Sequence, residues 1–174
     1  MVEETQLTAA HLIYPIFLKD GKGIKEEVTS LPNNFRWSLD TLLPEIEACM
    51  ELGVKTFDIF PAVDEALKDK MASYSWASDN FYLQAISAIK QRFPEAVVMS
   101  DVAMDPYSSD GHDGLVRDGQ IINDETLPIL AKMALAQAQA GVDIIGPSDM
   151  MDGRVGYLRS ELDAEGYTDV SIMS

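Results

Sequence analysis

Cysteine is nearly absent from this sequence: Cys49 stands alone among 174 residues, so no internal disulfide can form and a reducing compartment is expected. It falls in the apolar periodicity of a predicted helix and reads as a small buried hydrophobe, not a nucleophile. No apolar run approaches the roughly 20 residues that a membrane span needs. No charged-then-apolar leader precedes Leu12, which points to a cytosol-like location. Basic residues are scarce as well. Thirteen Lys and Arg against 29 Asp and Glu leave a formal charge of −16, which repels nucleic acid and anionic membrane surfaces and favours a cationic small molecule or metal as partner. A phosphate-cradling loop is missing too, because Gly21-Lys22-Gly23 is too short for the Walker spacing.

Apolar residues, by contrast, make up 47% of the chain, with two Trp, six Tyr and six Phe, enough for one domain with a sizeable core. Leu12–Leu18, Val54–Pro61, the run from Ala96, Val142–Ser148 and Val170–Met173 read as strands. Their near-continuous apolar character is that of strands buried on both faces, although Pro15 argues against full pairing of the first. Periodicity and capping signals predict helices over about 40–52, 78–93, 123–140 and 154–164. Asp40 is expected to start the first and Ser78 or Asp79 the second, with a short helix near Asp64–Lys68. Residues 20–35 read as an irregular excursion and 110–122 as loop. Strand–helix alternation with buried strands means a parallel α/β sheet, whose sites lie at the strands' carboxyl ends.

The acids gather at such an end. In AVVMSDVAMDPYSSDGHDG, from Ala96 to Gly114, alternation along a strand predicts that Asp101, Ala103 and Asp105 project together, with Asp110, His112 and Asp113 brought close by the loop. Asp-Pro and Asp-Gly are also turn chemistry, and Asp110 reads either way. Asp101 and Asp105 sit within an apolar run, where a desolvated carboxylate needs a cation, a substrate amine or a proton-transfer duty. Ser148 and Asp149 follow another strand's carboxyl end and are expected to face the same mouth. Asp149 and Asp152 could instead cap a helix or pair with Arg154, the favoured reading for Asp152.

DVAMDPYSSDGHDG from Asp101, NDET from Asn123 and PSDMMDGR from Pro147, with LIYPIF near the start and VSIMS at the end, resemble the porphobilinogen synthase (5-aminolevulinate dehydratase) family over nearly the whole chain. The resemblance implies a parallel (β/α)8 TIM barrel. Residues 1–174 would be its amino-terminal half, about four βα units and the start of strand 5, with the N-terminal oligomerisation arm largely missing. It implies a lyase of tetrapyrrole (haem and chlorophyll) biosynthesis that condenses two 5-aminolevulinate molecules to porphobilinogen with loss of two waters. The implied setting is a homo-octamer or related oligomer in the cytoplasm, or in a plastid for a photosynthetic eukaryote. Positions that are cysteines in the zinc-using branch are Ala103, Asp105 and Asp113 here, which resembles the aspartate-rich branch dependent on magnesium or a monovalent cation. Carboxylates suit such hard cations, whereas thiolates suit zinc. The resemblance assigns Asp105 and Asp113 to the substrate amine or a hydrated cation, and Asp101 to proton transfer or orientation. It assigns Ser148 to catalysis and substrate binding and Asp149 to the substrate site, with His112 expected to hydrogen-bond rather than ligate.

The family reaction is implied to use Schiff bases on two lysines of the barrel's second half, the first in a Tyr-Ser/Thr-Ala-Lys motif directly after the stretch matching Val170–Ser174. Lys55 opens a strand, and Lys90 and Lys132 lie on predicted helices, so no Schiff-base lysine is expected here. The leading expectation is a fragment that forms no porphobilinogen alone and leaves its first and last strand edges open. The alternative is a noncatalytic half-barrel that binds a full-length relative or a cation through its acidic mouth. A magnesium-dependent aldolase-like barrel with Asp101 and Asp105 as ligands leaves PSDMMDGR unexplained.

Overall fold

Alternation along Thr56–Ala62 separates the two faces of the sheet: Phe57, Ile59 and Pro61 are buried, while Thr56, Asp58, Phe60 and Ala62 are half-buried. The structure, a computed structural model, describes residues 4–174. Its strands are β1 (Ile13–Lys19), β2 (Lys25–Glu27), β3 (Phe35–Trp37), β4 (Thr56–Ala62), β5 (Val97–Val102), β6 (Val116–Arg117), β7 (Gln120–Ile121), β8 (Ile144–Pro147) and β9 (Ser171–Ile172). The helices are α1 (Leu39–Glu51), α2 (Phe81–Arg92), α3 (Asn123–Ala140) and α4 (Arg154–Ala164). The main sheet runs β2-β3-β1-β4-β5-β8-β9, and β1, β4, β5, β8 and β9 are successive parallel neighbours. One helix precedes each of the last four, so the predicted βα alternation is present.

The helices cover one face. Ile16, Leu18, Phe57, Ile59, Val98 and Ile145 bury there with Leu42 and Ile46 of α1, Ile86 and Ile89 of α2, and Leu130 and Met133 of α3. The other, inner face carries Asp58 and the Phe17–Phe60 ring pair, with centroids 5.8 Å apart. Among the described residues no helix is long and apolar enough to cross a membrane.

Several boundaries differ from the predicted ones for identifiable reasons. Strands β4 and β8 begin two residues after Val54 and Val142, because those residues finish the preceding helices. Val54 donates to the Cys49 carbonyl at 3.0 Å and Val142 to that of Gln137 at 3.2 Å, each just after a glycine with φ near +100° (Gly53 at 92°, Gly141 at 101°), the left-handed cap that glycine permits. Asp40 does not cap α1. Ser38 is the N-cap residue, and Asp40 instead accepts from the Gly23 amide at 2.9 and 3.1 Å and from Ser38 Oγ at 2.5 Å. Asn80, not Ser78 or Asp79, caps α2, accepting from the Tyr82 amide at 2.8 Å. The short helix near Asp64 is a 3-10 turn, Glu65–Leu67.

The stretch read as irregular holds β2 and β3. They pair antiparallel, and β3 then joins β1 in parallel at Phe17 and Leu18. Lys25 braces the pair, its ammonium 4.8 Å above the Phe35 ring and 4.4 Å above Trp37. Pairing on that side starts at Phe17, so β1 carries no β3 ladder beside Pro15, whose nitrogen has no proton to give. Within the stretch read as loop, Asp118 and Gly119 have φ of 51° and 75° and close the β6–β7 hairpin, the two-residue turn that Asp-Gly favours.

Candidate active site

Asp101, only 7% exposed, is held from several elements at once. Its amide donates to the Tyr82 hydroxyl at 3.1 Å, which itself donates to the Ile59 carbonyl at 2.7 Å. Its carbonyl accepts from Gln137 Nε2 at 2.8 Å, and Gln137 Oε1 accepts from Ser100 Oγ at 2.7 Å. Its carboxylate accepts from Ser148 Oγ at 2.5 Å, one residue beyond β8. Burial pushes the Asp101 carboxyl up to about 6, against the Ser148 bond that favours its charged form, with Asp105, Asp58 and Asp113 adding to the rise.

Alternation does not carry Asp105 to this face, as the sequence suggested. β5 ends at Val102, Ala103 and Met104 are buried, and the chain turns as the amides of Tyr107 and Ser108 donate to the Met104 carbonyl at 2.9 and 2.7 Å. That turn brings Asp105 back to where it and Asp113 act on Asp101. Burial and then Asp113 raise the Asp105 carboxyl, with Lys68 opposing. A backbone clasp fixes the turn: the Asp69 amide donates to the Tyr107 carbonyl at 3.2 Å, and the Ser109 amide to that of Asp69 at 3.1 Å. Beyond Asp113, a Cβ on Gly114 would lie 2.7 Å from Ile121 Cγ2 and 3.0 Å from both Met151 Cε and Thr126 Oγ1. Only glycine lets the loop return that closely.

Asp149, rather than Asp152, pairs with Arg154, its Oδ2 3.4 Å from Nε with a fully buried side chain. Its Oδ1 accepts from the Met151 amide at 2.7 Å. Asp152 is exposed, and its backbone exchanges bonds with the Asn123 side chain at 2.7 and 3.2 Å. His112 is exposed, and the half-buried Asp110 gives its amide to Ser108 Oγ at 3.2 Å, as a turn residue does. The inner face holds a cavity of about 270 Å³ lined by Asp58, Phe60, Met99, Asp101, Ser148 and Met173, among others. Asp105, Asp113 and Asp149 lie outside that lining, although Asp113 is near enough to raise Asp149 after burial has done so. Among the described residues no lysine lines it: Lys90 is bonded to Asp143 at 2.8 Å, Lys68 to Glu65 at 2.5 Å, and Lys132 lies over Trp76 at 5.4 Å. Among the described residues no three His, Cys, Asp or Glu side chains gather as a metal site. Asp58, Tyr82 and Gln137 are site-building residues that sequence reasoning passed over.

A parallel strand array with helices on one face, and acids and a serine at its carboxyl ends on the other, is part of a barrel-type enzyme scaffold. The chain belongs to the delta-aminolevulinic acid dehydratase family, whose model matches residues 1–174. It is 47% identical to the delta-aminolevulinic acid dehydratase of Chlamydia pneumoniae over all of this chain and 52% of that protein. It is 46% identical to the chloroplastic enzyme of Hordeum vulgare over 99% of this chain and 40% of that one. The crystal structure of porphobilinogen synthase from Toxoplasma gondii ME49, in complex with the reaction product porphobilinogen, superposes with a TM-score of 0.95 at 44% identity, covering 99% of this chain and 49% of that one. The parallel array is therefore part of a TIM-barrel fold, and the chain spans about half the length of the curated relatives it matches.

Proposed function

We propose that these residues form the acid-bearing part of a site that condenses two 5-aminolevulinate molecules to porphobilinogen. The observation that carries this reading is the 2.5 Å bond from Ser148 to Asp101 across neighbouring strand ends, in a chain whose solved relative holds porphobilinogen. A carboxyl poised at about 6 can take and return a proton near neutral pH, and the Ser148 hydroxyl orients it. Asp105 and Asp113 face a substrate ammonium or hold a hydrated cation. Carboxylates fit magnesium or a monovalent ion, and no thiolate for zinc is at hand, Cys49 lying in α1. Such an ion, when bound, supplies positive charge that offsets charge developing on the substrate. Asp149, held by the Met151 amide and facing Arg154, supports the Ser148 end of the substrate site. Residues 1–174 are read as the amino-terminal half of the barrel domain, in a homo-oligomer such as an octamer, located in the cytoplasm or a plastid.

Because no lysine lines the cavity, the isolated chain is expected to make no porphobilinogen from 5-aminolevulinate. Fused ahead of the carboxyl-terminal half of the Chlamydia pneumoniae relative, it is expected to do so, and Asp101→Asn in that fusion should lower the rate by about 100-fold or more. A soluble fusion that makes no product, or one indifferent to Asp101→Asn, overturns the reading.

A further inference from the structure

Asp58 has no part in the condensation chemistry assigned to Asp101, Asp105, Asp113 and Ser148. It lies on β4 in register with Met99 of β5. Asp101 is two residues farther along β5, so strand spacing alone sets the two Cα atoms about 8 Å apart. Both side chains line the inner-face cavity of about 270 Å³, together with Ser148. Asp58 Oδ1 is buried and has no hydrogen-bond partner among the described residues. Its register partner on the other side is Pro15, which has no amide proton to offer. With Phe60, Met99 and Met173 around the same cavity, no Lys or Arg among the described residues lines it, and burial pushes the Asp58 carboxyl up to about 6. A buried acceptor left unpaired is costly, and an apolar residue on this strand would avoid the cost. A small primary ammonium fits what is missing, since it brings three donors and one positive charge to two carboxylates and a hydroxyl.

We propose that Asp58 is a further substrate-binding residue of this site, its carboxylate taking the ammonium group of an amine-bearing molecule held in the cavity against Asp101 and Ser148. The identity of that molecule rests on the condensation reading above. The test is calorimetric titration of the purified chain with 5-aminolevulinate and with levulinate, the same keto acid without its amine. The wild-type chain should bind 5-aminolevulinate at least about tenfold more tightly. Asp58→Asn should bring the two within about twofold while leaving levulinate unchanged, and Asp58→Ser should do the same if the amide variant folds poorly. A variant that keeps the preference for the amine overturns the role of Asp58. If Ser148→Ala meanwhile weakens both ligands, the condensation reading survives that loss. A wild-type chain that binds neither ligand overturns the role of Asp58, while the condensation reading stands or falls on the fusion.

Discussion

The Asp101–Ser148 pair shows how one hydroxyl tunes a buried acid. Two influences oppose each other at this carboxyl: desolvation favours the protonated form, and the Ser148 bond favours the charged one, with desolvation winning. Ser148→Ala removes the weaker influence, so Asp101 should titrate above its present value of about 6 when followed by carboxyl-carbon NMR; an unchanged or lower midpoint contradicts this assignment. Asp101 was legible in the sequence because an acid stood inside an apolar strand. Asp58, in VKTFDIFP, carries the same signal at the same two-residue phase and could have been found by it. The Arg154 partner could not. Asp149 and Asp152 are both within reach along the chain, and either could form the Asx turn that Asp149 makes with the Met151 amide, so the spacing alone does not choose between them.

At the level of elements, α2 supports the site through one side chain. The Tyr82 hydroxyl joins the Ile59 carbonyl of β4 to the Asp101 amide of β5 at a point where parallel pairing stops, since the ladder between these strands reaches only Ile59 and Ser100. Tyr82→Phe leaves a buried carbonyl and a buried amide without that partner and should cost about 1–3 kcal/mol in urea unfolding. Tyr74→Phe, whose hydroxyl makes only 3.4 Å contacts, should cost far less. Helix α3 is readable to its ends because an 18-residue run averages over noise and Gly141 marks its close, and α4 because Gly153 and Gly166 bracket it. β2 and β3 are not, since three residues are too few to show a period of two. The β6–β7 hairpin does leave a mark in Asp118-Gly119, which reads as loop because the flanking strands are two residues each.

For the whole molecule, the buried acids set the pH response. Asp58 and Asp101 sit at about 6 in the folded chain against about 3.9 when unfolded, so folding takes up protons between those values. Their contribution is fully present below about pH 4 and is lost as pH rises through about 6. Self-repulsion within a chain of charge −16 acts in the same direction. Glu125, lowered by its Arg117 bond, and Asp40, lowered mainly by Ser38, act oppositely, losing their contribution as pH falls below the usual carboxylate range. The melting temperature should therefore rise as pH is lowered from 8 to 5 at constant ionic strength, and fall again under stronger acid. A melting temperature that drops between pH 8 and 5 contradicts this balance.

The clasp between Asp69 and the Tyr107–Ser109 turn is made of peptide groups alone. Apart from Lys68, which opposes the rise at Asp105, and Asp69, whose carboxylate accepts from the Met71 and Ser73 amides, the β4-to-α2 connection can therefore change its side chains without detuning the acids, whereas losing or gaining a single residue there slides the tether by one peptide and drags Asp105 with it. Tolerance of substitution combined with intolerance of length change is the signature to seek in a deletion scan of residues 64–72.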